Sequence, residues 1–402
     1  MGRPGVMIAT EGTIWAGTRR ARLRRQLRAI GFDEVRFASV TEEGGPGFRG
    51  WLGAGMQADM AWMERTAAKR QQVELVLPGV RSVILLGVNY WPGQAADRKS
   101  RRKDGPVWAR YALNEDYHDT IKPGLVAVGR ILEEVCGAAE TDYRYYVDTG
   151  PVLERGWAAR SGLGFLGKNG MLISRRHGNW LFLATILTRI EIAPDLPLRK
   201  KPLAAGADEP AGLLCGKCTR CIDACPTQAI PRPGVVDARR CVSYQTIENR
   251  GVIPRELRAG IGNRVYGCDV CLEVCPWNRF ARAGRQVLLA ARPEMARLSL
   301  RELLELTPGR FAEVFRRTAV KRLKLSGLLR NACVAAGNAG PAGGELLPAL
   351  LTLARHELPM VRAHAVWAVQ QIAGENAPSL LSAAHAAETN ATVLAEFAPP
   401  AR

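Results

Sequence analysis

No run in this 402-residue sequence approaches the ~20 apolar residues that a bilayer-crossing helix requires; stretches such as Leu181 to Leu187 are among the longest. A secretory leader is missing too. Thr18 to Arg28 carries six Arg, but Ala29-Ile30-Gly31-Phe32-Asp33 follows in place of an apolar block. Together these absences predict a cytoplasmic protein with no membrane partner. Acidic side chains are in deficit, 38 against 56 Lys plus Arg, which leaves a net charge of +18. That deficit disfavours a cationic substrate and favours a polyanion, most simply nucleic acid, with a merely solvated basic surface as the plainer alternative. With 47% hydrophobic and 23% charged residues the composition is that of a folded protein, long enough for two or three folding units.

Cysteine is what the sequence has in a telling arrangement. Eight of its ten cysteines lie between Cys215 and Cys275. They read Cys215-x2-Cys218-x2-Cys221-x3-Cys225-Pro226, a lone Cys241, then Cys268-x2-Cys271-x3-Cys275-Pro276. In a reducing compartment such a set is not a disulfide framework. An iron-sulfur cube needs four thiolates in tetrahedral directions, and one short loop presents only three, so the last Cys of each run crosses to the other cube. The spacing therefore predicts two [4Fe-4S] clusters. One is held by Cys215, Cys218, Cys221 and Cys275, the other by Cys225, Cys241, Cys268 and Cys271. Tetrahedral zinc is the competing reading of C-x2-C pairs, but three cysteines at C-x2-C-x2-C crowd a zinc loop, and the C-x3-C-P ending recurs. Cys136 and Cys333 fall in apolar helical patterns, where an inert thiol is expected.

Periodicity predicts a basic amphipathic helix over residues 12–31, with Ile14, Leu23, Leu27 and Ile30 on its apolar side, and another helix over Ile121 to Ala138. A Gly-rich turn is expected at Gly44 to Gly50, and buried strands at Arg81 to Trp91 and Trp180 to Ile192. The alternation predicts an α/β domain over residues 1–205, followed by a loop-rich, ferredoxin-like two-cluster domain over 206–290 and an all-α domain over 291–402. In the last, Arg330, Cys333 and Ala336 recur as Arg362, Ala365 and Ala368, resembling a pair of HEAT-like repeats, with an ordinary helical bundle as the alternative.

Between the two strands lie Tyr145-Tyr146-Val147-Asp148-Thr149-Gly150-Pro151 and Ser161-Gly162-Leu163-Gly164-Phe165-Leu166-Gly167-Lys168-Asn169. The second segment contains G-x-G-x-x-G, but a helical stretch precedes it and a strand-like run, Met171 to Ser174, follows, the reverse of a dinucleotide fingerprint. Asn169 stands where a phosphate-binding loop needs Ser or Thr. These glycines either let backbone approach a large flat ligand or simply make a turn. Asp148 is placed at a strand end beside a cleft, where desolvation would raise its pKa and suit it to general-acid chemistry; capping of the Gly-Pro turn is the bland reading.

The VDTGPVLERGWAARSGLGFLGKN segment, RYALNEDYH at Arg110 to His118, the two C-P-terminated runs with their lone Cys, and the helical tail together resemble the epoxyqueuosine reductases over essentially the whole chain. The resemblance implies a cobalamin-dependent, two-cluster enzyme that reduces epoxyqueuosine to queuosine at the wobble position of a tRNA anticodon. It also implies an N-terminal fold similar to that of corrinoid-binding reductive dehalogenases. By matching position, Asp148 is the proton donor. Cobalamin contacts fall on Arg70, Tyr111, Asp148, Leu153, Asn169, Leu172, Leu183, Ser243 and Asp269. No D-x-H-x-x-G box is present, and His118 and His177 have no spaced partner. The expected partners are tRNA carrying epoxyqueuosine and an unidentified electron donor, with the chain acting as a monomer. Arg316, Arg317, Lys321, Arg322, Lys324 and Arg330 are expected to grip phosphates. A reductive dehalogenase and a ferredoxin-type electron carrier are the alternatives; the basic tail speaks against the first, and the long segment before Cys215 against the second.

Overall fold

The computed structural model describes residues 11–40, 47–100, 105–204 and 206–398. Its N-terminal part is built on a four-stranded sheet in the order Glu34–Ser39, Ser82–Asn89, Leu181–Thr188, Tyr143–Tyr146, with every neighbouring pair antiparallel. The two central strands pair over their full length, from Ser82 opposite Thr188 to Asn89 opposite Leu181.

Successive side chains of a strand point to opposite faces, and both faces here are covered. Ile84, Leu86 and Val88 pack with Leu23 and Leu27 of the helix Glu11–Ile30 and with Ile121, Leu125, Val128 and Leu132 of the helix Tyr117–Cys136. Val83 and Leu85 pack on the other side with Val73, Leu77, Trp157 and Ala158. Double coverage explains why Ser82–Asn89 is buried throughout and reads as a continuous apolar run. The expected strands and helices are thus present in a mixed α/β arrangement, but the sheet is antiparallel. Ile14 lies outside the residues whose side chains are described. The Gly44 to Gly50 turn also falls partly outside the described residues, and Gly47–Gly53 is a short helix.

The helix Tyr117–Cys136 starts where Asp116 accepts a hydrogen bond from the His118 amide at 3.1 Å. It ends at Gly137, whose φ of 69° lets its N–H turn back to the carbonyls of Leu132 and Glu133. This fixes Tyr117 at the first turn, beneath the end of the strand Tyr143–Tyr146.

The cysteine-rich region is loop-rich, with short helices at Arg220–Asp223, Val242–Ile247, Arg255–Ile261 and Val270–Glu273. It shares one core with the helical tail: Val242, Leu257, Ile261 and Val265 pack with Leu328, Ala332, Val361 and Val369 from the helices Lys324–Gly337 and Pro359–Ala373. Among the described residues no helix is long and apolar enough to cross a membrane.

Arg330 corrects an expectation. Its side chain is fully buried and does not face solvent. The guanidinium donates to the carbonyls of Gln245 at 2.7 Å, Asn249 at 2.7 Å and Gly251 at 2.9 Å, tying the tail to the helix Val242–Ile247 and the turn after it. Arg316, Arg317, Lys321, Arg322 and Lys324 are exposed. Buried carbonyls deprived of their donor each cost ~1–3 kcal/mol, so Arg330→Met is expected to destabilise the fold by at least ~3 kcal/mol. Thermal unfolding of the purified variant reads this as a lowered midpoint; an unchanged midpoint would mean that the three carbonyls find other donors.

Candidate active cleft and thiol chambers

Asp148 follows the strand Tyr143–Tyr146 by one buried residue, Val147. Its φ of +59° lies in the left-handed region that few residues other than Gly, Asn and Asp adopt. The carboxylate is held from one side: Oδ2 accepts a hydrogen bond from the Tyr117 hydroxyl at 2.5 Å. Tyr117 is itself braced by stacking on Phe182, with ring centroids 4.3 Å apart. Burial and the charge of Asp148 push the Tyr117 phenol far above its ordinary range, so it acts as a donor.

The expectation that Asp148 is desolvated is not met, because its side chain is exposed. The desolvated carboxyl is its neighbour Glu154, in the first turn of the helix Glu154–Arg160. Glu154 Oε1 accepts from the Asp148 amide at 3.3 Å. Burial, with the charge of Asp148 second, pushes its pKa up to about 8. The folded chain therefore keeps a proton that the unfolded chain, with its carboxyl near 4.5, has already released. Glu154 accordingly makes stability fall as pH rises from about 4.5 towards 8, and the loss levels off above that. In Glu154→Gln this slope should vanish, so that the variant's melting temperature relative to the parent rises between pH 5 and pH 8. Parallel melting curves across that window would show that Glu154 does not hold the proton.

Both carboxyls border a cavity of about 670 Å³. Its floor is apolar, with Leu153, Leu166, Met171, Phe182 and Leu183, while Arg70, Arg155 and Arg160 supply cations and Asp208 and Glu209 add two further carboxyls. Arg70 is buried; it donates to Thr66 Oγ1 at 2.9 Å and lies over the Trp62 ring. Among the described residues no histidine lines this cavity. His118 is bound to Asp116, and His177 to Asn89 and Glu34.

Of the residues singled out in the sequence, Arg70, Asp148, Leu153, Leu183 and Ser243 are brought together on the cavity wall. Four sit elsewhere. Tyr111 lies behind the wall, edge-on to Tyr117 and Phe182. Leu172 is buried in the core between sheet and helix. Asn169 donates to Asn179 Oδ1 at 3.0 Å and to the Cys271 carbonyl at 3.3 Å. Asp269 accepts from the Arg110 amide at 2.8 Å and from its guanidinium at 3.2 Å. Tyr117 and Glu154 were missed as site residues; their only sequence signal was membership of the quoted segments.

The glycine-rich segment makes a turn. A Cβ on Gly162 would come within 2.2 Å of the Leu196 carbonyl, and one on Gly164 within 2.5 Å of the Ile173 carbonyl. These glycines admit protein backbone, and none of Gly162, Gly164 and Gly167 lines the cavity.

The eight clustered thiols fall into two neighbourhoods. Burial and the facing thiols of Cys215, Cys275 and Cys218 push Cys221 up to about 11. Cys271 is raised by burial and by Cys241, Cys268 and Cys225, with Cys221 the next thiol beyond. The first four line a chamber of about 290 Å³. Such crowding is costly for bare thiolates and is relieved by a bound metal cluster. Cys333 is fully buried and lies apart from both sets.

The hairpin of Phe165–Leu166 and Leu172–Ile173 separates the two sites. Leu166, Gly170 and Met171 face the cavity, whereas Lys168, Asn169 and Ile173 line the thiol chamber. Ser243, two residues after Cys241, reaches the cavity from the cysteine-rich region. A redox centre in the set containing Cys241 thus lies next to a cleft that carries a tyrosine-braced carboxylate, and one in the chamber of Cys215 lies across the hairpin from it.

Comparison with known proteins agrees with this geometry. Residues 214–278 match the 4Fe-4S double cluster binding domain, and residues 70–149 match the family described as epoxyqueuosine reductase QueG, DUF1730. The chain is 38% identical over 346 residues to an epoxyqueuosine reductase of Vibrio cholerae, covering 85% of this chain and 89% of the relative. It is also similar to an epoxyqueuosine reductase solved with a tRNA-Tyr epoxyqueuosine-modified stem loop, with a TM-score of 0.77 and 27% identity over 95% of this chain and 97% of that one. A Bacillus subtilis epoxyqueuosine reductase, whose aspartate-bearing catalytic loop is swung out of the active site, gives a TM-score of 0.78 at 28% identity over 95% of this chain and 98% of that one. With relatives matched over most of both sequences, the chain belongs to the epoxyqueuosine reductase family.

Proposed function

We infer that this chain reduces epoxyqueuosine to queuosine within a tRNA anticodon. The observation that carries this reading is the Asp148 cleft, which Ser243 ties to the loop after Cys241 and which the Phe165–Ile173 hairpin alone separates from the chamber of Cys215. The stem-loop complex of the relative supports tRNA as the substrate. Net charge of +18 and the exposed cations Arg316, Lys321 and Lys324 supply phosphate contacts. Residues 1–205 form the catalytic part, 206–290 the cluster part and 291–402 the helical, HEAT-like part.

One [4Fe-4S] cluster is assigned to Cys215, Cys218, Cys221 and Cys275, and the other to Cys225, Cys241, Cys268 and Cys271. The cavity's broad apolar floor, with carboxyls and guanidiniums of both signs on its wall, fits cobalamin, which Arg70, Leu153, Leu183 and Ser243 would hold with Asp148 facing it. Bound there, cobalamin supplies low-valent cobalt chemistry for two-electron reduction. Asn169 and Asp269 act one layer back, fixing the loops around Cys271 and Cys268 through the Cys271 carbonyl and Arg110.

Opening the epoxide and losing its oxygen as water consumes two electrons and two protons. Asp148 takes up a proton and passes it to the departing oxygen, and Tyr117 holds the carboxyl in place for that transfer. Glu154, protonated through neutrality, is the adjacent store for the second proton. The apolar floor keeps bulk water from the reacting carbon.

The test is turnover of epoxyqueuosine-bearing tRNA under a strong reductant, with and without cobalamin. Queuosine should form only with cobalamin. Formation without it removes cobalamin from the cleft, and no formation with both cofactors loaded overturns the reading.

A further inference from the structure

We propose that the mouth of the chamber holding Cys215, Cys218, Cys221 and Cys275 is the docking face for a small acidic one-electron carrier protein. The inference rests on the reading above that these four thiols hold a cluster, and it names the class of electron donor. The four thiols line a chamber whose wall includes Leu214, Trp277 and Phe280. Phe280 is 41% exposed and Leu214 38%, both large for apolar side chains outside an interface. Trp277 is pinned, its Nε1 donating to the Leu214 carbonyl at 3.2 Å and its ring 5.5 Å from that of Phe280.

Cations surround this apolar patch. Lys217, between Cys215 and Cys218, is exposed, as are Arg220 and Arg279 on the chamber wall. Among the described residues none of the three makes an ion pair, and Arg279 lies over the Phe280 ring at 4.5 Å from its centroid. Among the described residues no acidic side chain lines the chamber. Rigid aromatics beside unpaired Arg and Lys are the composition of a binding hot spot. Unpaired cations on the rim steer an acidic partner and speed encounter without demanding high affinity. A small, weak interface of this kind is what electron-transfer partners use.

The position favours a carrier over nucleic acid. The substrate cleft lies across the Phe165–Ile173 hairpin, on its other side, so a carrier at the chamber mouth does not enter the cleft. One electron leaves the reduced carrier cofactor and enters the cluster; no bond forms or breaks.

The experiment uses the full chain with its clusters and a reduced flavodoxin of net negative charge as probe. Stopped-flow absorbance follows cluster reduction at low and high salt, and calorimetry measures binding of oxidised flavodoxin. In the triple variant Lys217→Glu, Arg220→Glu, Arg279→Glu the low-salt reduction rate should fall at least ~10-fold, as lost electrostatic steering predicts, and binding should weaken in parallel. Reduction by dithionite and affinity for the tRNA stem loop should stay unchanged. An unchanged flavodoxin rate overturns the proposal, and so does a loss of tRNA affinity as large as the loss of carrier binding, which would give the face to nucleic acid. If the triple variant fails to retain its clusters, Phe280→Ser decides, because it should weaken flavodoxin binding even at high salt. Absence of iron-sulfur absorbance in the unmodified chain would overturn the cluster reading itself, a result distinct from intact clusters that the carrier reduces at the same rate in every variant.

Discussion

Asp148→Asn is expected to lower turnover of epoxyqueuosine-bearing tRNA by ~10²- to 10⁴-fold, the range for loss of a positioned general acid. The amide keeps the shape of the carboxylate and can still accept the Tyr117 hydroxyl, but it has no proton to deliver. Asn is also the substitution that leaves the backbone undisturbed. At φ +59° a residue such as Ala is strained, and its loss of activity would mix chemistry with a shifted loop, whereas Asn tolerates this region well. The effect should fall on kcat, with tRNA affinity and cluster absorbance as in the parent. Turnover close to that of the parent would pass the role to Glu154, the carboxyl on the cleft wall next to Asp148, whose raised pKa already keeps it protonated near neutrality. A rise in KM alone would make Asp148 a binding group.

How far the sequence disclosed this site follows from the range over which each signal acts. The cysteine pattern was legible because loop length dictates which thiols one cluster can reach, and residues 214–278 match the double-cluster domain that this pattern implies. The strands around Ser82–Asn89 and Leu181–Thr188 were legible as apolar runs, but their antiparallel pairing was not. A strand buried on both faces reads the same whichever way its neighbours run. Tyr117 was invisible as a partner of Asp148 because the link exists only once a helix start is packed under a strand end. Arg330 misled for a similar reason: one arginine in a basic tail looks like another, and the three carbonyls that bury it come from the helix Val242–Ile247 and the turn after it, which the repeat pattern does not reveal. The glycines of the Gly162 to Gly167 segment signalled close approach correctly, yet the approaching atoms belong to Leu196 and Ile173, not to a ligand.

The crossed arrangement of thiols makes the other large prediction. If Cys275 completes the set of Cys215, Cys218 and Cys221, then Cys215→Ala/Cys275→Ala removes ligands from one cluster only and should retain about half of the iron and labile sulfide. Cys215→Ala/Cys225→Ala removes a ligand from each and should lose nearly all of both. A local arrangement, with Cys225 closing the first run upon itself and Cys275 the second, predicts the reverse outcome for the two pairs. Alanine is the appropriate replacement, since a serine oxygen could still bind iron. Turnover should vanish in both double variants, because electrons that enter at the chamber of Cys215 must pass the set containing Cys241 before they reach the cleft at Ser243. The metal content of the two variants therefore separates the arrangements where activity cannot. Because Cys221 and Cys271 are the thiols at which the two sets meet, loss of one cluster should also loosen the other's loop. Some iron beyond the expected half is then lost from Cys215→Ala/Cys275→Ala on heating, at a temperature where the parent keeps both clusters.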